Sequence, residues 1–241
     1  MNKNQDAYGR ELYACYQGKD VAELVERDDG YIEPAWTTRM YFSDYQSWRP
    51  KEKQALRFVH GRVLDVGAGA GRHSLHLQKA GFRVLATDVS PLAIKVCRLR
   101  GVKQARVVPI EKLSRKLGTF DTILMMGNNF GLFGSPAKAR RLLKRFRSFT
   151  NAGAQIIAEC VDPYGTTYPP HLAYHRLNRR RGRLGGQLRI RVRFEAAATP
   201  WFDYLFVSRR EMREILDGTG WRIRRFLLAS GAHYVAVIDR A

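Results

Sequence analysis

Apolar positions recur along this chain with two periods, and the switch between them marks the predicted elements. Over residues 6–28, Leu12, Tyr13, Tyr16, Val21, Leu24 and Val25 fall at helical spacing, which predicts helices ahead of a main domain. Residues 29–50 read as loop and are rich in aromatics: Tyr31, Trp36, Tyr41, Phe42, Tyr45 and Trp48. From residue 62 the pattern becomes strand then helix, repeatedly. A buried run at 63–66 ends in a glycine loop, and a helix at 73–79 stops at Gly81. Residues 83–87 make the next strand and end on Asp88. Pro91 then starts a helix that 92–99 carry to Gly101. Further strands fall at 105–109, 120–126 and 154–160, with a Lys- and Arg-studded helix at 137–149. The unbroken apolar character of 120–126 is that of a parallel strand covered on both faces.

Five strands separated by helical segments predict a doubly wound α/β fold around a parallel sheet. The rhythm breaks after Val161. Residues 162–186, with Pro163, Pro169, Pro170 and a glycine-flanked arginine run, read as loop or insert. At 187–195, Leu188, Ile190, Val192 and Phe194 alternate with Arg189, Arg191 and Arg193, giving a strand with one apolar and one basic face. Residues 204–207 are a candidate partner for it. A short helix at 211–216 stops at Gly218, and strands at 222–228 and 233–239, joined through Ser230 and Gly231, are expected to be antiparallel. The implied organisation is an N-terminal helical and aromatic segment at 1–50, a main domain at 51–241, and within it a β-rich insert at 162–207.

Composition narrows the setting. The 241 residues are enough for one sizeable core, and no apolar run reaches the roughly 18–20 residues of a membrane span. The first ten residues lack the apolar stretch of a secretory signal. Three scattered cysteines and six histidines form neither a disulfide framework nor a metal-ligand spacing, so a reducing cytoplasm is the expected compartment. The net charge of +20 is the unusual feature. It fits a polyanionic partner such as RNA, and equally a solvated basic surface.

The chemistry concentrates at residues 63–71, Val-Leu-Asp-Val-Gly-Ala-Gly-Ala-Gly. Glycines between a strand and a helix let a ligand reach the backbone, where the helix offers free N–H groups. Dinucleotide-binding folds place glycines similarly, but here Asp65 stands two residues before the first of them. A carboxylate there repels a pyrophosphate and suits an ammonium group. Asp88, at the end of the next strand, is placed to accept hydrogen bonds from a ribose diol.

This arrangement resembles the class I S-adenosylmethionine-dependent methyltransferases, by motif over residues 55–160 and again at the closing hairpin. The resemblance implies a Rossmann-like, seven-stranded, mostly parallel sheet with an antiparallel last strand, and S-adenosyl-L-methionine as cofactor. It implies that Asp65, Gly67, Ala68, Gly69 and Gly71 hold the methionine end. Asp88 and Val89 would meet the ribose side, with Ile110 and Glu111 flanking the adenine. Met126 and Gly127 would lie under the methionine portion, and Asn128 and Asn129 would face the acceptor.

The acceptor itself is not specified by these motifs. Asn128 and Asn129 could bind an amine or simply form a turn. Glu159, Cys160 and Asp162 end a strand and could supply an acid or a helix cap. His171 and His175 in the insert could supply a base, and Tyr31, Trp36, Tyr41 or Trp48 could pack on a sulfonium or anchor the N-terminal segment. A small-molecule acceptor is the leading expectation. RNA is the alternative, through Arg179, Arg180, Arg181, Arg183, Arg189, Arg191 and Arg193.

Overall fold

The computed structural model describes residues 5–22, 24–33, 38–228 and 231–241, so Trp36 and Ser230 lie outside the described residues. In chain order the first elements are α1 (Ala7–Tyr16), β1 (Leu24–Arg27), β2 (Ile32–Glu33), α2 (Pro50–Leu56), β3 (Val63–Val66), α3 (Arg72–Lys79), β4 (Val84–Asp88), α4 (Pro91–Leu99) and β5 (Ala105–Val107). Then come β6 (Phe120–Met125), α5 (Pro136–Phe146), β7 (Thr150–Val161), α6 (Pro169–Arg180), β8 (Gln187–Phe194), β9 (Ala197–Ala198), β10 (Phe202–Leu205), α7 (Arg209–Leu216), β11 (Trp221–Leu228) and β12 (His233–Arg240). The main sheet is seven-stranded and mostly parallel with an antiparallel last strand, as expected. Among the described residues, no helix is long and apolar enough to cross a membrane.

The chain divides into two compact units. The first comprises residues 1–48, 61–113 and 190–202. In it β3 runs parallel to β4, with Val63 opposite Val84 and Val66 opposite Thr87, and β4 runs parallel to β5. Every residue of β3 and β4 is buried, which explains their unbroken apolar character apart from Asp65, Thr87 and Asp88. Ser90 caps α4 by accepting from the Ala93 N–H, and Pro91 occupies the first turn, where no donor is needed.

Residues 24–27 correct the helical expectation for 6–28. Gly18, at φ 89°, follows the end of α1, and the chain continues as strand. There β1 pairs antiparallel with β2, through the turn at Asp28–Gly30, and with β8, Val25 facing Val192. Two apolar residues at helical spacing cannot outweigh a turn that returns the chain along itself.

The second unit comprises residues 49–60, 114–189 and 203–241. Here β6 runs parallel to β7, and β12 lies antiparallel between β7 and β11. A full capping box at Ser208 and Glu211 starts α7. Residues 169–180, expected as part of a loop or insert, form a helix. Pro169 and Pro170 occupy its first turn, which lacks N–H partners anyway, and Tyr174, His175 and Asn178 make its buried stripe. Prolines that look like loop markers are here a helix start.

Candidate active site

In the first unit, the glycine loop is fastened to the end of β4. The N–H groups of Gly67 and Ala68 both donate to the Thr87 carbonyl, at 2.8 and 3.0 Å. Gly67, Gly69 and Gly71 have φ of 72°, 55° and 76°, a region that disfavours any side chain. Gly71 has a second reason to be glycine, because a Cβ there would come within 2.9 Å of Val102 and 3.0 Å of the Cys97 sulfur.

Two buried carboxylates flank this loop. Asp65 Oδ2 accepts from the Ser74 hydroxyl at 2.6 Å. Burial pushes its carboxyl above the usual range, opposed by nearby His73 and Arg72. Asp88 accepts from the Gly69 N–H at 3.0 Å and the Ser90 N–H at 2.9 Å. Burial outweighs these bonds and raises its pKa to about 6. Val89 beside it keeps 48 % of its surface exposed. Ile110 and Glu111 lie in a single 3₁₀ turn behind Pro109, and the Val108 N–H ties that segment to the Asp88 carbonyl.

Sequence reading missed Tyr8 of α1, which meets this loop, and Asp6, the cap of α1, whose charge acts on Asp88. A Cβ on Gly69 would approach the Tyr8 hydroxyl to 2.7 Å, so Tyr8 stands over the loop. Asp6 caps α1 through Gly9 N–H and also receives the Leu92 N–H of α4, each at 3.1 Å. Neither carries a spacing signal. The expected aromatics are otherwise engaged: Tyr41 packs edge-on against Tyr8, Tyr31 lies against Arg27, and Trp48 packs on His73 and His76 beneath Arg72.

In the second unit, β6 ends in Gly127 and Asn128, both left-handed with φ of 70° and 63°. The Gly127 N–H donates to Glu159 Oε2 at 2.7 Å, and the Tyr204 hydroxyl donates to the Asn128 carbonyl at 2.8 Å. Met126 is buried, Asn129 opens the next 3₁₀ turn, and the Asn128 amide oxygen is buried without a hydrogen-bond partner. Glu159 Oε1 stands 3.9 Å from His233 Nδ1. Of the other strand-end candidates, Asp162 caps the Tyr164 N–H and the Cys160 thiol turns toward the Val207 carbonyl. His171, in the first turn of α6, meets Thr166 at 3.3 Å and Tyr168 edge-on. Sequence reading did not connect Tyr204 or His233 to this strand end.

Three of the seven arginines assigned to RNA have acidic neighbours. Arg191 makes two bonds to Glu26, Arg193 reaches the same carboxylate at 3.2 Å, and Arg189 lies 3.4 Å from Asp203. The Arg191 bonds hold Glu26 below the usual carboxylate range. Arg179, Arg180 and Arg181 are exposed at the end of α6, whereas Arg183 has a buried guanidinium nitrogen.

One buried acid thus stands before a left-handed glycine loop and a second at the neighbouring strand end, a pair of hydrogen-bond acceptors flanking the loop. Residues 63–153 match the methyltransferase domain family. Over its full length the chain superposes on an S-adenosylmethionine-dependent methyltransferase from Bacteroides fragilis in complex with S-adenosyl-L-homocysteine, with a TM-score of 0.85, 24% identity and 97% of that chain covered. It is 39% identical over 83 residues to a ubiquinone biosynthesis O-methyltransferase of Methylocella silvestris, covering 32% of each chain. It is 29% identical over 104 residues to a glycine/sarcosine N-methyltransferase of Halorhodospira halochloris, covering 41% of this chain and 39% of that one. The chain thus spans about a third to a half of the length of the curated relatives it matches. Residues 63–153 thus carry the match to a methyltransferase domain, and the fold is that of the S-adenosylmethionine-dependent methyltransferases.

Proposed function

We propose that this protein transfers a methyl group from S-adenosyl-L-methionine to a small-molecule acceptor. The observation that carries the reading is the pair of buried carboxylates fastened around one glycine loop, Asp65 and Asp88. An ammonium brought beside Asp65 offsets the cost of burying its charge, and ribose hydroxyls do the same for Asp88. The Gly67–Gly71 backbone accommodates the methionine end, Val89 and the Ile110–Glu111 turn flank the adenosine, and Met126 and Gly127 meet the methionine portion. Asn128 and Asn129 face the acceptor, which the insert at 162–207 recognises. When bound, the cofactor supplies an electrophilic methyl on a sulfonium, so the chain's task is chiefly alignment.

Calorimetry tests this directly. S-Adenosylmethionine or S-adenosylhomocysteine should bind the intact protein, and Asp88→Ala should abolish the heat signal. No binding to the wild-type chain sinks the reading. Support for a small acceptor comes from the matched relatives, whose names specify quinone-pathway and amino-acid substrates.

A second reading, RNA as acceptor, is favoured by the net charge of +20 and the exposed arginines at the end of α6. A salt series of mobility shifts with total tRNA separates the two, since phosphate-driven affinity without methyl incorporation counts against RNA as substrate.

A further inference from the structure

The strand-end cluster of the second unit contains a residue pair with more to do than fold. His233 opens β12 opposite Val161, and Val235 lies opposite Glu159, so His233 and Glu159 are diagonal neighbours on one face of the sheet. Their near atoms, Nδ1 and Oε1, are 3.9 Å apart. The other carboxylate oxygen is held by the Gly127 N–H, which fixes Glu159 to the end of β6. Nδ1 is buried with no hydrogen-bond partner, yet the His233 side chain is 31 % exposed. Nε2 is not among the buried unpartnered atoms, so it is the ring nitrogen left toward the open side.

We infer that His233 is the proton acceptor of the transfer reaction, with Glu159 as the positioning residue that keeps the imidazole proton on Nδ1 and leaves the Nε2 lone pair outward. This rests on the methyltransferase reading above and deepens it: the acceptor is a protic group, O–H or N–H, that must lose its proton to become a good nucleophile. The balance is simple. The acceptor's lone pair forms the new bond to carbon, the carbon–sulfur bond breaks with its pair returning to sulfur, and the acceptor's proton moves to Nε2. One positive charge leaves sulfur and one appears on the imidazole, beside the Glu159 carboxylate.

The charges acting on His233 are Glu159 from β7 and Arg49 at the head of α2. Burial and Arg49 lower the imidazole's pKa and Glu159 raises it, with a net lowering, so the ring is neutral and competent as a base at neutral pH. A gap of 3.9 Å is longer than a hydrogen bond and is of the kind that tightens when substrate arrives.

Two readouts test this. The first needs no acceptor: long-range nitrogen–proton correlation on histidine-labelled protein at pH 7.5 should show His233 neutral with its proton on Nδ1. Glu159→Gln should move that tautomer balance. A proton on Nε2, or a balance indifferent to Glu159→Gln, overturns the inference. The second uses a catechol as the protic probe. His233→Gln should lower kcat about 100-fold or more, with the KM for S-adenosylmethionine within about twofold, and should remove the acidic limb of the pH profile. Glu159→Gln should cost about tenfold and Glu159→Asp should recover part of it. An unchanged kcat in His233→Gln overturns the assignment, and if catechol is not turned over the tautomer result decides. Calorimetric loss of cofactor binding in the wild-type protein is a separate failure, that of the methyltransferase reading.

Discussion

The turns after β3 and after β6 both leave a strand on left-handed residues, yet they are built by different means. The Gly67–Gly71 turn is held through its backbone and within one unit: the Gly67 and Ala68 N–H groups donate to the Thr87 carbonyl, the Gly69 N–H to Asp88, and the Gly69 and Ala70 carbonyls accept from Cys97 and Arg100. The Gly127–Asn128 turn is held by side chains far off in sequence, Glu159 and Tyr204. The turn proposed for the cofactor is thus specified within the first unit, and the turn proposed to face the acceptor by Glu159 and Tyr204 of the second.

The largest expected effect breaks the first turn. Asp88→Ala should weaken S-adenosylhomocysteine by about 100-fold or more in calorimetry, since each hydrogen bond to a charged group contributes about 1.5–3 kcal/mol. Gly69→Ala should act with it, because it forces a side chain into φ 55° and onto the Tyr8 hydroxyl. Next, Gly131→Ala should break the second turn alone. Its Cβ would strike the Tyr204 ring and dislodge the bond to Asn128, costing about 1–3 kcal/mol in denaturant unfolding while leaving cofactor affinity near wild type.

A pH series sharpens the contrast further. Asp88, raised to about 6 by burial, favours its protonated form in the folded state. Its contribution to stability is therefore full below the ordinary value of about 3.9 and is lost as pH rises through about 6. On the proposed reading cofactor binding runs the other way, because ribose hydroxyls donating to Asp88 would favour its carboxylate. Affinity should fall by up to about tenfold per unit below pH 6, with proton release on binding, and Asp88→Asn should flatten that dependence. The smallest structural effect belongs to Arg179→Glu with Arg180→Glu. Both are exposed, so thermal unfolding should not move, while any tRNA shift should vanish if α6 is an RNA surface.

The same contrast explains what could be read from the chain. The buried strands and the glycine–acid spacing were legible, because parallel pairing and left-handed turns dictate residue type locally. The helix at 169–180 was not, since paired prolines signal a loop and a first helical turn alike. Residues 24–27 read as helix because only the turn at 28–30 and the pairing with β8 make them a strand. His233 and Tyr204 gave no signal. Their proximity to the end of β6 follows from sheet register and chain return, which no short spacing encodes.

Asp6 carries one last consequence. A single carboxylate receives the first-turn N–H groups of both α1 and α4, 86 residues apart for the latter. Neither helix start can open without stranding a donor of the other. The two should therefore breathe as one event, and the amide protons of Gly9 and Leu92 should exchange with solvent on a shared clock.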